Sequence, residues 1–112
     1  MTNNKTDDVS EFKDLYIKTS RESIQEAKNS LLKLEKDSSD KETIEKVLRL
    51  AHTLKGRAAV MGDKETSLKS ATLEDLFREI QEGRKELTSD LLGTVSQTFN
   101  EIAALVDKAE SR

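Results

Sequence analysis

The chain has 112 residues, with 37% of them charged, 34% hydrophobic and 4% aromatic, no proline and no cysteine. That length is one domain, with room to bury roughly 65% of the surface its unfolded form exposes, and a proline-free composition favours helix. The net charge of −3, the missing cysteines and the lack of any apolar run near membrane-span length exclude a basic nucleic-acid surface, a disulfide or thiolate zinc site, and membrane insertion.

Residues 1–8 are expected to be disordered; they lack the apolar stretch of a signal peptide, so a cytoplasmic protein is the expectation. Asp8-Val9-Ser10-Glu11 reads as a capping box, with Asp8 as the cap, opening a helix over about 9–36. Its apolar stripe is Ile17, Ser20, Ile24, Ala27, Leu31 and Leu34. Ser39-Asp40-Lys41-Glu42 is a second capping box and opens a helix over about 40–61, with Ile44, Val47, Ala51, Leu54, Ala58 and Met61 on one face. Gly62 suits a left-handed stop. Asp63 caps a third helix over about 64–82, carrying Leu73, Leu76, Phe77 and Ile80 and stopped by Gly83. A fourth, over about 88–109, starts at Thr88 or Ser89 and carries Leu91, Leu92, Val95, Phe99, Ile102, Ala103 and Val106. Four one-faced helices with short connections predict an all-α, antiparallel up-down-up-down four-helix bundle spanning residues 9–110. Two glycines lie inside helices, where each costs roughly 1 kcal/mol against alanine. Gly93 is assigned to close packing of the fourth helix, and Gly56 lies one turn beyond His52.

His52 is the only histidine, so any imidazole chemistry runs through it. At about 100° per residue, His52 falls on the flank of the second helix, outside the seam centred on Ala51 and Leu54. Lys55 and Gly56 share that flank. The glycine leaves a flat approach to the ring, and the lysine places an ammonium suited to a phosphate or carboxylate. The second and third helices join at Gly62-Asp63, and in an antiparallel pair residues equidistant from the turn lie level. His52 is eleven residues before Asp63 and Glu74 eleven after it. Each follows a core residue, Ala51 and Leu73, so the two are predicted to be neighbours on one exposed groove. A carboxylate there fixes the imidazole tautomer and leaves the other nitrogen free as a nucleophile. Leu48, Leu68 and Ala71 are candidates for an apolar rim.

At these residues the chain resembles a histidine-containing phosphotransfer (Hpt) domain, and more narrowly the N-terminal phosphotransfer domain of the chemotaxis kinase CheA. The segment Ala51 to Gly62, AHTLKGRAAVMG, matches the family's A-H-[ST]-[IL]-K-G pattern and its following glycine. The likeness continues through Leu73-Glu74-Asp75-Leu76 and from Glu82-Gly83-Arg84 to Leu87-Thr88-Ser89-Asp90-Leu91-Leu92, and covers roughly residues 10–107. It implies that His52 is the phosphoacceptor, Glu74 its orienting carboxylate, Lys55 a phosphoryl contact and Gly56 the clearance position. It also implies use of the outward ring nitrogen, Nε2. The implied partners are the ATP-binding domain of a histidine kinase and CheY-like or CheB-like response-regulator receiver domains. No cofactor is expected in this domain, because ATP and Mg²⁺ come with those partners. The domain alone is then a phosphocarrier without a nucleotide site, and no P-loop is present. Arg57 and Ala71 depart from the family pattern: the first stands where a small or uncharged residue is usual, the second where some relatives carry another histidine. The alternative reading is a non-catalytic helical adaptor, against which His52, Lys55 and Gly56 are all present.

Overall fold

The computed structural model describes the backbone of residues 4–111 and the side chains of residues 11–111. Four helices form an antiparallel up-down-up-down bundle: α1 (Asn4–Lys36), α2 (Lys41–Met61), α3 (Lys64–Gln81) and α4 (Ser89–Glu110). Among the described residues there is no strand. α1 packs on α2 and α4, and α3 packs on α2 and α4, so each helix touches its two neighbours. The molecule is a rod of 55 × 21 × 21 Å. α1 sets that length, since its 33 residues at 1.5 Å rise give about 50 Å.

The predicted stripes form the core. Ile17, Ser20, Ile24, Ala27, Leu31 and Leu34 of α1 are buried, as are Ile44, Val47, Ala51, Leu54 and Ala58 of α2. Leu73, Phe77 and Ile80 of α3 meet Leu92, Val95, Phe99, Ile102 and Val106 of α4 in the same cluster. Phe77 and Phe99 are the largest fully buried side chains, each worth about 3–5 kcal/mol against alanine. Met61, Leu76, Leu91 and Ala103 are only half-buried at its edge. Tyr16, Leu48 and Leu87 join the core in addition. The α3 seam continues toward its N-terminus through Thr66 and Ser70, which are fully buried, so its first half shows no apolar period in the sequence.

The helix ends explain the register. Gly62 takes φ 76°, and Gly62 N–H and Asp63 N–H donate to the carbonyls of Ala59 and Ala58, a left-handed stop that only glycine adopts without strain. Asp63 then caps α3, accepting from Thr66 N–H at 3.2 Å. Tyr16 Oη donates to the same carboxylate at 2.8 Å, tying the α2–α3 turn to α1.

Three expectations are corrected. α1 begins at Asn4, so Asp8 is inside the helix rather than at its start. The expected disorder of residues 1–8 falls in part on residues 1–3, which lie outside the described residues. The cap of α2 is Asp40, not Ser39: its carboxylate accepts from Thr43 N–H at 3.3 Å and Thr43 Oγ1 at 2.9 Å, a charge-assisted pair that a serine hydroxyl does not match. Gly93 is exposed, and a Cβ there would meet nothing within 4 Å, so close packing does not account for it. Gly93→Ala is accordingly expected to raise stability by about 0.5–1 kcal/mol, seen as a rise in Tm of a few degrees; an unchanged or lower Tm would contradict this.

Candidate functional site

The site is built on the facing flanks of α2 and α3, the most extensively packed pair. His52 Nδ1 lies 2.7 Å from Glu74 Oε2. Lys55 Nζ lies 2.6 Å from Glu74 Oε1, and Arg78 Nη2 donates to Oε2 at 3.0 Å. Three donors thus converge on one carboxylate. Their exposures differ sharply: the His52 side chain is 66% exposed and that of Glu74 5%. The expected partnership on one exposed groove is therefore corrected in depth. Glu74 is a buried floor, and His52, Lys55 and Arg78 close over it.

Backbone geometry explains the convergence. Helical side chains lean toward the N-terminus of their own helix. In antiparallel α2 and α3 those leans oppose one another, so Lys55, one turn past His52, and Arg78, one turn past Glu74, approach the same level from opposite sides. Ser67 Oγ donates to the Lys55 carbonyl at 3.2 Å, a further tie between the two helices beside the site.

The charges fix the chemistry. The Lys55 ammonium, bonded to Glu74, is the foremost cause holding this carboxyl at about 2, below its ordinary 4.5; burial opposes the shift, and His52 adds to it. Glu74 is therefore a carboxylate at neutral pH and accepts only, so the proton between it and the ring sits on Nδ1. In the neutral ring the lone pair then falls on Nε2, the nitrogen away from Glu74, on a side chain that is largely exposed. The arrangement presents an oriented imidazole nucleophile backed by a buried anion that stabilises positive charge on the ring. Among the described residues no group of three or more acidic or histidine side chains is placed to hold a metal ion.

Gly56 is exposed one turn past His52, with open space where a Cβ would sit. Nothing inside the chain requires glycine there. Gly56 lies on the wall of an apolar groove of about 650 Å³ between α1 and α2, lined also by Phe12, Leu15, Val60 and Met61. The expected rim is partly corrected: Leu48 is buried in the core, whereas Leu68 is exposed. The larger apolar surface is on the α1 side, where Phe12, Leu15 and Val60 stand out. Arg57 does not join the cluster at Glu74; it donates to Ser23 Oγ at 3.3 Å and to the Thr19 carbonyl at 3.4 Å, across to α1. Arg78 was not anticipated from the sequence, although its i,i+4 spacing from Glu74 is a signal that could have found it.

The family model described as Hpt domain matches residues 11–111. The chemotaxis protein CheA of Bacillus subtilis is 33% identical over 99 residues, 88% of this chain and 15% of the relative. CheA of Halobacterium salinarum is 29% identical over 103 residues, 92% of this chain and 15% of the relative. The chain thus spans about 15% of the length of these relatives. The CheA phosphotransferase domain from Thermotoga maritima superposes with a TM-score of 0.84 at 33% identity, covering 88% of this chain and 93% of that one. A computationally redesigned four-helix bundle superposes with a TM-score of 0.85 at 25% identity, covering 88% and 97%. With the family model matching nearly the whole chain and the four-helix fold superposing on a CheA phosphotransferase domain, this chain belongs to the family of Hpt domains.

Proposed function

We propose that this domain is a phosphocarrier in chemotaxis-type two-component signalling, and that His52 Nε2 is the atom that carries the phosphoryl group. The observation that supports this most directly is the bond from His52 Nδ1 to a carboxylate buried beneath the ring. A surface histidine has no need of a desolvated anion under it, whereas a ring that becomes a cation on phosphorylation does.

In the proposed cycle a kinase domain brings ATP. The Nε2 lone pair attacks the γ-phosphorus in line, the bond to the bridging oxygen breaks, and ADP leaves. Nδ1 keeps its proton against Glu74, whose charge stabilises the cationic ring, and Lys55 attracts the phosphoryl oxygens. A receiver aspartate, with Mg²⁺ on its own domain, then attacks the phosphorus, and the N–P bond breaks to restore the neutral ring. Little covalent chemistry is asked of the domain; positioning and charge supply the catalysis. Exposed Gly56 and the apolar groove beside it give a receiver a flat, partly apolar seat one turn from the ring. Among the described residues no helix is long and apolar enough to cross a membrane, and a cytoplasmic setting fits such partners.

The test is a transfer assay. The phosphorylated domain, freed of kinase and ATP and mixed with a chemotaxis receiver domain and Mg²⁺, is expected to lose its acid-labile label as base-labile acyl phosphate appears on the receiver. Label that stays on the domain whichever chemotaxis receiver is supplied would refute the relay.

A further inference from the structure

Arg78 has no role in that cycle, yet it occupies the centre of the site. We propose that Arg78 is a second phosphoryl ligand, leaving the Glu74 carboxylate for the phosphoryl oxygens once His52 is phosphorylated; this rests on the phosphocarrier reading of His52.

The first argument is charge. With the ring neutral, Lys55 and Arg78 both pair with the single carboxylate of Glu74. The site therefore holds a surplus positive charge beside an exposed nucleophile, and an incoming phosphoryl group brings the negative charge that balances it.

The second argument is geometry. Lys55 holds Oε1, whereas Arg78 and the ring share Oε2. While the ring is neutral, Oε2 has one charged donor, the guanidinium. Once Nε2 is phosphorylated the ring is a cation, and its Nδ1–H bond to Oε2 becomes an ion pair. The guanidinium is then redundant at the carboxylate, just as a dianion appears on the far side of the same ring. Arg78 is free to respond: its side chain is half exposed, and among the described residues its guanidinium contacts Glu74 alone. Its planar fork can bind two phosphoryl oxygens together. Because Arg78 and Lys55 lean in from opposite sides, the phosphoryl group is held between them.

The third argument separates Arg78 from scaffolding. Its own side chain is half exposed although its partner Glu74 is buried, and Glu74 keeps Lys55 when Arg78 is lost, so solvent around the guanidinium limits what this pair adds to stability. Its loss therefore acts on the charge around the ring more than on the fold.

The test uses phosphoramidate, which phosphorylates imidazoles without a kinase. The Nε2 lone pair attacks its phosphorus, the reagent's P–N bond breaks, and its nitrogen, already carrying three protons, leaves as ammonia; Nδ1 keeps its proton. Wild type, Arg78→Gln and Arg78→Lys are compared for labelling rate and for dependence on ionic strength. Arg78→Gln is expected to label about tenfold more slowly and with a shallower salt dependence, and Arg78→Lys to recover most of the loss, with circular dichroism and Tm unchanged. Glutamine can still donate to Glu74, so a purely structural Arg78 would leave rate and salt dependence where they were. Equal rates and equal salt dependence in all three proteins, with His52 labelled, overturn the proposal and leave the phosphocarrier reading standing. No label on wild-type His52 overturns that reading and this proposal with it.

Discussion

The His52→Gln protein is expected to fold as the wild type does and to take up no phosphate from a cognate kinase and ATP. The side chain is mostly exposed and makes one described hydrogen bond, to Glu74, so its loss costs at most about 1 kcal/mol. Labelling, in contrast, has nowhere else to go. The chain has no other imidazole and no cysteine, and the carboxylate nearest the site is buried and held by three donors. Acid-labile, base-stable phosphate should fall to background while Tm stays within a few degrees of wild type. Acid-labile label persisting in the variant would mean that the acceptor is elsewhere.

Glu74 is expected to have the second-largest effect, on both rate and stability. Glu74→Ala removes the acceptor that fixes the Nδ1 proton and the anion that supports the cationic ring, and should slow phosphorylation about 10- to 100-fold without abolishing it; an unchanged rate would remove Glu74 from the site. The stability effect has a defined pH window. The folded-state value of about 2 is below the ordinary 4.5. The folded state therefore binds this proton less readily than the unfolded chain, and the carboxylate stabilises the fold above about pH 5. That contribution is lost as pH falls from about 5 to about 2. It is at most about 3 kcal/mol, and solvent around Lys55 and Arg78 reduces it. Glu74→Gln keeps the shape and drops the charge, so it should be less stable than wild type at pH 7 and flatter through the acid window. Superimposable acid-unfolding profiles for the two proteins would contradict the assignment of the charge.

The pairing of His52 with Glu74 was legible in the sequence because it follows from symmetry about one turn. Gly62 and Asp63 mark that turn unambiguously, and two helices leaving it with the same period keep residues at equal distance level. The depth of Glu74 was not legible. Periodicity sets it one residue past the seam at Leu73, and only the closure of Lys55 and Arg78 over it turns a flank position into a buried one. Arg78 escaped for a related reason: its Cα is a full turn from the level of His52, and it reaches the site through a long side chain leaning back along α3. The first half of α3 was unreadable because its seam residues are Thr66 and Ser70; small hydroxyl side chains fill the seam without an apolar signal. Gly56 and Gly93 are both mid-helix glycines, read from the sequence as a clearance position and as close packing, and both prove exposed and unhindered. Only Gly56 adjoins the ring and an apolar groove.

The central claim is that Nε2, not Nδ1, carries the phosphoryl group while Nδ1 stays protonated on Glu74. Long-range ¹H–¹⁵N and ³¹P NMR of the ¹⁵N-labelled, phosphorylated protein measures this directly, since the single imidazole gives one unambiguous spin system. The expected result is phosphorus coupled to Nε2 and a retained proton on Nδ1. Phosphorus on Nδ1, which would require breaking the 2.7 Å bond to Glu74, or on any residue other than His52, would contradict it.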